Sequence, residues 1–221
     1  MKSIKFSFMD MDVSISDNHL LLIIENRDIW SKIMSFLFSD YVNCSEVLEI
    51  YEDDKQLDVD DSSYFISNCF YFDFNSKRNI QALYKKLKTQ YFDLLKEKLS
   101  VINNVAEKVV EEISLDYDIE LSMVSHIKED DIFKLMNIQF SETDLSRTEK
   151  FVRFISVIND LQKIDLFFVS HLKESFSEDE LALIEKQLLY KKIHIINFET
   201  VNYQQNDFEK KIIVDKDLCV N

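Results

Sequence analysis

Between Lys77 and Lys98 the chain sets seven cations (Lys77, Arg78, Lys85, Lys86, Lys88, Lys96 and Lys98) against two anions, Asp93 and Glu97. That is a local charge of +5 in a chain whose net charge is −15. Cations gathered on one helix face track phosphates, because each neutralised phosphate releases condensed counterions. At about 100° per residue, Arg78, Lys85 and Lys96 fall within roughly 20° of each other, opposite the apolar stripe of Ile80 and Leu87. The same pattern also suits a solvated helix surface with no ligand. A second group is acidic. Asp116, Asp118 and Glu120 alternate, Glu129, Asp130 and Asp131 follow, and Glu142 and Asp144 come later. Calcium takes six to eight hard oxygens in a flexible cage, which such a segment can supply with carbonyls and water. Acidic turns that cap helices and face water use the same residues. The spacing is not that of an EF-hand, which also needs its glycine. A two-metal nuclease would need carboxylates converging on ions about 4 Å apart, and nothing in this spacing argues for that.

No glycine and no proline occur in the 221 residues. Average usage would place roughly 15 and 11. Backbone N–H groups close on a pyrophosphate only where no Cβ intervenes, so a Walker loop and a dinucleotide fingerprint are both excluded. Tight turns fall to Asn, Asp and Ser, which tolerate left-handed backbone or bond their own main chain. His19, His126, His171 and His194 share no metal-ligand spacing. His171 follows a strand's carboxyl end, where open α/β sheets bind ligands, yet a lone histidine there is more often structural. Trp30 and the aromatic run Tyr64–Phe74 fit core or subunit interface better than base stacking.

The elements that must hold these groups alternate in type. Lys2–Phe8 has the period of a half-buried strand, and His19–Glu25 reads as a strand buried on both faces. Arg27–Phe38 is spaced as a helix, and Val47–Tyr51 and Tyr64–Ile66 as short strands flanking an acidic loop, Glu52–Asp61. From Ser76 the period becomes helical, with Ile80, Leu83, Tyr84, Leu87, Tyr91, Leu94 and Leu95 in one stripe and a further helix near His126–Met136. Thr148–Leu161 is amphipathic, and Leu166–Val169 is a strand. Ser177–Glu180 is a capping box opening a helix to Tyr190. Ile193–Phe198 and Lys211–Val214 complete the pattern. The expected fold is α/β: a mostly parallel sheet head over 1–75 and 145–221, with an α-helical lobe inserted at 76–144.

His19–Leu37, Phe72–Ser76 and above all Leu166–Tyr203, in their order and lengths, resemble the Csn-two family of accessory adaptation proteins in type II-A CRISPR systems. The resemblance spans nearly the whole chain. It implies a head like a P-loop ATPase core without the nucleotide site, and no catalysis. It further implies a homotetrameric ring that threads double-stranded DNA ends and is supported by calcium near the hinge between head and lobe. The ring would act in spacer acquisition beside the CRISPR integrase subunits and the RNA-guided effector nuclease. The family's acidic hinge pattern falls over Glu120 and Asp130. Other acidic positions appear here as Ser122, Val124, Ser125 and Phe140, so Asp118 or Glu142 would supply the missing oxygens. DNA-contact candidates are Arg78, Lys85, Lys88 and Lys96, with Lys32, Lys134 and Lys150 beyond the helical run.

Two other functions compete with a DNA-end binder. A protein–protein adaptor that never touches DNA is favoured by the charge of −15. A metal-dependent nuclease is the less supported one. The isolated Cys44, Cys69 and Cys219 fit reduced thiols. No apolar run approaches bilayer length and no signal-peptide layout opens the chain, so the expected location is cytoplasmic, with no membrane partner.

Overall fold

The computed structural model describes residues 2–9, 12–39, 47–117, 121–122, 125–141 and 144–220. Strand β1 (Lys2–Phe6) alternates, burying Ile4 and Phe6 while Lys5 faces water. It pairs antiparallel with β2 (Asp12–Ile15), Ile4 opposite Val13. Strand β3 (His19–Ile24) has all six residues buried, as a strand covered on both faces must. Helix α1 (Arg27–Phe38) follows, and Asn26 caps it by accepting from the N–H groups of Asp28 and Ile29. β4 (Leu48–Glu52) pairs with the other edge of β1, and β5 (Lys55–Leu57) folds back on β4. These strands make a four-stranded antiparallel sheet in the order β2-β1-β4-β5. The segment expected as an acidic loop therefore holds β5 and a one-turn helix, α2 (Val59–Ser62). Asp53 and Asp54 turn the hairpin at φ 48° and 64°. Both values lie in the left-handed region that two-residue hairpins usually fill with Asn-Gly.

β6 (Ser63–Ile66) closes the first part of the head. The lobe contains α3 (Lys77–Gln90), α4 (Phe92–Tyr117) and α5 (Glu129–Leu135). Among its described residues the buried apolar side chains are Leu99 and Phe133. Side-chain amides do much of the remaining joining. Asn103 donates to the Ile127 carbonyl (3.1 Å) and accepts from its N–H (2.8 Å). Asn75 does the same with Phe140, at 3.1 and 2.8 Å. Tyr84 stacks on Phe133 and donates its hydroxyl to the Ile138 carbonyl.

The head resumes with α6 (Arg147–Gln162), β7 (Leu166–Ser170), α7 (Leu172–Ser175) and α8 (Glu178–Tyr190). It ends with β8 (His194–Glu199) and β9 (Glu209–Val214). The Ser177–Glu180 capping box opens α8 as its spacing predicts: Glu180 Oε2 accepts from the Ser177 N–H at 2.9 Å. The second sheet is wholly parallel, in the order β6-β7-β8-β3-β9. One face, with Leu20, Leu22, Phe168, Ile196, Phe198 and Ile212, shares a core with Ile29, Ile33, Phe36 and Leu37 of α1 and with Ile4, Phe6, Val13, Leu48 and Ile50 of the antiparallel sheet. The other face lies on the side of α6, where Tyr64 stands between Phe154 and Phe167.

The chain divides into two compact units, Met1–Phe72 with Asp144–Asn221, and Asp73–Thr143. No helix among the described residues is long and apolar enough to cross a membrane. Cys69 is a buried free thiol and Cys219 an exposed one, while Cys44 lies outside the described residues.

Lack of glycine leaves a mark at helix ends. Lys163 at the end of α6 has φ 63°, and Lys192 beyond α8 has φ 58°. A side chain with a Cβ is disfavoured there by about 1–2 kcal/mol, which is why helices so often end on glycine. Lys163→Gly is therefore expected to raise the urea midpoint, with a net gain of about 0.5–1 kcal/mol after the extra freedom it gives the unfolded chain.

Candidate functional site

Arg78 and Lys85 stand seven residues apart, two helical turns, and both are exposed on one face of α3. Lys88 on the same helix is half-buried. The helix stops at Tyr91, whose φ of −117° and ψ of 24° break the α pattern, so Lys96 belongs to α4. The angular count that aligned Lys96 with Arg78 assumed one uninterrupted helix and does not carry across this break. Lys96 is exposed, as are Lys134 on α5, Lys32 on α1 and Lys150 on α6.

A second surface accompanies these cations. Val101, Val105, Val109 and Ile113 recur every fourth residue along α4 and are 57%, 56%, 48% and 41% exposed. Leu95, Leu99, Asn103, Ala106 and Val110, on another side of the same helix, are partly or fully buried. A helix apolar on two faces has one more than its own lobe covers.

Of the expected calcium ligands, Asp118, Glu120 and Glu142 lie outside the described residues, as does the side chain of Asp130, which falls in α5. Nearby, Asp131 accepts from the Lys128 N–H and His126 Nε2 meets Glu107 Oε1 at 2.7 Å.

In the head, only Glu25 and Asn26 separate β3 from α1. A phosphate cradle between strand and helix needs a longer glycine-bearing loop with free N–H groups. Here Asn26 Oδ1 accepts from Asp28 N (3.0 Å) and Ile29 N (3.1 Å), while its Nδ2 donates to the Lys216 carbonyl (2.9 Å).

The parallel sheet also carries buried charge that sequence reasoning missed. Lys173 Nζ pairs with Glu209 Oε2 at 2.6 Å, both almost wholly buried. Asn206 donates its side-chain N–H to Glu185 and its backbone N–H to Glu209. His19 Nδ1 accepts from the Ile195 N–H (2.9 Å), which leaves the ring proton on Nε2 to donate to the Glu185 carbonyl (3.0 Å). The ring is thereby fixed as neutral imidazole, and burial pushes its pKa down to about 4. Burial pushes Glu185 up to about 8, helped by the neighbouring Glu209 charge.

The sequence model of the CRISPR-associated protein (Cas_Csn2) family matches residues 40–218. The chain belongs to that family. Membership ties it to CRISPR adaptation. No curated protein matches the chain at a significant level. Among solved structures it is similar to a putative ABC transporter ATP-binding protein from Pyrococcus furiosus, at 12% identity over 95% of this chain and 96% of that one, with a TM-score of 0.39. It is also similar to an ATP-binding cassette in a dimeric post-hydrolysis state bound to ADP and Pi, at 12% identity over 91% and 88%, with a TM-score of 0.36.

The buried pair gives this Cas_Csn2 chain a distinctive pH response. His19 titrates at 6.5 when unfolded and near 4 when folded, so its contribution appears as pH rises from 4 to 6.5. Glu185 titrates near 4.5 when unfolded and near 8 when folded, so its contribution is full below 4.5 and is lost as pH climbs through 8. The two oppose each other up to 6.5, and above it Glu185 acts alone. Unfolding by urea is expected to become easier by about 2 kcal/mol between pH 6.5 and 8, at about 1.4 kcal/mol per proton and pH unit. Glu185→Gln should flatten that decline.

Proposed function

We propose that this Cas_Csn2 chain is a non-catalytic, sequence-independent binder of double-stranded DNA ends. It assembles as a calcium-stabilised homotetrameric ring that serves spacer capture beside the CRISPR integrase subunits and the RNA-guided effector nuclease. The observation that carries this is a segregation of charge: a chain of net charge −15 keeps a local +5 between Lys77 and Lys98, with Arg78, Lys85 and Lys96 exposed. Exposed acidic loops more than a screening length of roughly 8 Å away weaken such a field little. The apolar stripe Val101–Val105–Val109–Ile113 supports self-association, because a second copy removes it from water. Glu120 and Asp130, with Asp118 or Glu142, would hold calcium, whose charge offsets the carboxylate repulsion of so acidic a segment.

Gel shifts of linear and circular duplex, with calcium and with chelator, test this. A threading ring prefers free ends, an adaptor shifts neither DNA, and a nuclease degrades the linear form when metal is present. Lys85→Glu with Lys96→Glu is expected to weaken linear-duplex binding at least tenfold and to lower the slope of affinity against salt, with the oligomer intact. Unchanged binding in that double variant would remove the α3–α4 cations from the interface.

The stripe has its own test. Val105→Asp with Val109→Asp, both exposed and so tolerated by the fold, should convert the assembly to smaller species by native mass measurement. An unaltered mass would show that α4 does not join the copies.

A further inference from the structure

Strands β3 and β8 are neighbours, yet the chain leaves them in opposite directions, from β3 toward β6 at one edge and from β8 to β9 at the other. In open parallel sheets the crevice beyond the carboxyl ends at such a reversal is where ligands settle. Three side chains meet there: His171 immediately after β7, Glu174 in α7, and Glu199 as the last residue of β8. His171 Nδ1 lies 3.7 Å from Glu174 Oε1 and 3.8 Å from Glu199 Oε2, and one ligand atom from each residue falls within 4.8 Å of the others.

Glu199 is fully buried, and its two oxygens differ. Oε1 accepts from the Lys173 N–H (2.7 Å) and from Asn197 Nδ2 (3.1 Å). Oε2 has no hydrogen-bond partner among the described residues, and neither does His171 Nδ1. A buried carboxylate oxygen with no donor costs roughly 1–3 kcal/mol or more. Lys173 gives Glu199 its backbone N–H, while its ammonium bonds Glu209 instead. His171 holds φ 57°, a left-handed backbone that other residues of this glycine-free chain also adopt, and Trp30 stands against its ring edge-on with centroids 5.1 Å apart. An open carboxylate oxygen and an open imidazole nitrogen facing each other, with a second carboxylate beside them, are a donor set that a cation would satisfy.

We propose that His171 Nδ1, Glu174 Oε1 and Glu199 Oε2 bind one divalent first-row transition metal ion, with water completing its shell. Bonds of 2.0–2.1 Å in a tetrahedral site put ligand atoms about 3.4 Å apart. The two pairs made by His171 Nδ1 therefore close by a few tenths of an ångström, and the two carboxylates, which lie within 4.8 Å of each other, close by at most about 1.4 Å. Imidazole with carboxylates suits zinc, manganese or iron(II) and does not suit calcium, which takes oxygen. The Lys173 N–H and the Asn197 amide orient the buried carboxylate from behind, as outer-shell donors do in metal sites. This centre is separate from the calcium set proposed above and shares no residue with it.

The full chain, stripped with chelator and returned to buffer with excess calcium to fill oxygen-only sites, is titrated with Zn2+ by calorimetry and with Co2+ by visible absorption. One equivalent is expected, with Co2+ giving the absorption of a low-coordinate nitrogen–oxygen site and Zn2+ displacing it. Glu174 is half exposed, so Glu174→Gln leaves the fold alone and should weaken binding at least tenfold. His171→Asn, whose new side chain tolerates the left-handed backbone, should abolish the cobalt spectrum. Binding of several weak equivalents only, or variants that bind as the parent does, overturns the site.

Discussion

Asn26 stands where the buried strand β3 becomes helix α1, and its amide settles how that end of the sheet is used. Oδ1 takes the N–H groups of Asp28 and Ile29, so the first turn of α1 is satisfied from within the chain. Nδ2 takes the Lys216 carbonyl and ties the segment beyond β9 to the same corner. With only two residues between strand and helix, α1 lies where Ile29, Ile33, Phe36 and Leu37 must enter the core shared by both sheets. The helix N-terminus that could otherwise attract phosphate is occupied by a neutral amide oxygen. One short connection thus places α1 on the core and leaves no glycine-bearing phosphate loop between β3 and α1.

The two faces of the parallel sheet solve different problems. The face toward α1 and the antiparallel sheet is apolar, and Phe198 packs there against Phe6 and Phe168. The opposite face admits polar groups and must pair them, because an unpartnered buried charge costs more than the pair returns. Lys173 with Glu209, and neutral His19 between the Ile195 N–H and the Glu185 carbonyl, meet that requirement. Glu199 meets it through one oxygen only. Glu209 Oε1 is likewise without a hydrogen-bond partner among the described residues, and what sets Glu199 apart is that its open oxygen faces another unpartnered atom, His171 Nδ1, 3.8 Å away.

What the sequence disclosed follows from where each signal lives. β3, α1, α8 and its capping box rest on local patterns, runs of apolar residues or a cap three residues from its partner, and those survive in a one-dimensional reading. Membership of β1 in a separate antiparallel sheet is not local, since alternation alone says only that one face is covered. The break at Tyr91 was hidden because the apolar stripe continues through it, and that break divides the basic run between α3 and α4. The buried polar groups joined by folding are 36 residues apart for Lys173 and Glu209 and 166 for His19 and Glu185, so no motif could announce them. His171 was visible only as a lone histidine past a strand, because its partner Glu199 arrives on the next strand. The proposed calcium positions Asp118, Glu120 and Glu142 rest on the family resemblance alone, outside the described residues.

The lobe has a different economy from the head. Its described buried apolar side chains are Leu99 and Phe133, and its joints are largely amide-to-backbone pairs from Asn75, Asn79 and Asn103. Such pairs fix register, but each adds only about 1 kcal/mol net, whereas apolar burial supplies most of the folding drive. The same lobe leaves Val101, Val105, Val109 and Ile113 substantially in water. Any partner that covers this stripe and binds only the folded lobe stabilises it by mass action. Apolar surface withheld from the lobe's interior is thus available for association, while the cations of the lobe concentrate on the neighbouring helix α3, which carries Lys77, Arg78, Lys85, Lys86 and Lys88 and no acidic residue of its own, and α4 itself carries more acids than lysines.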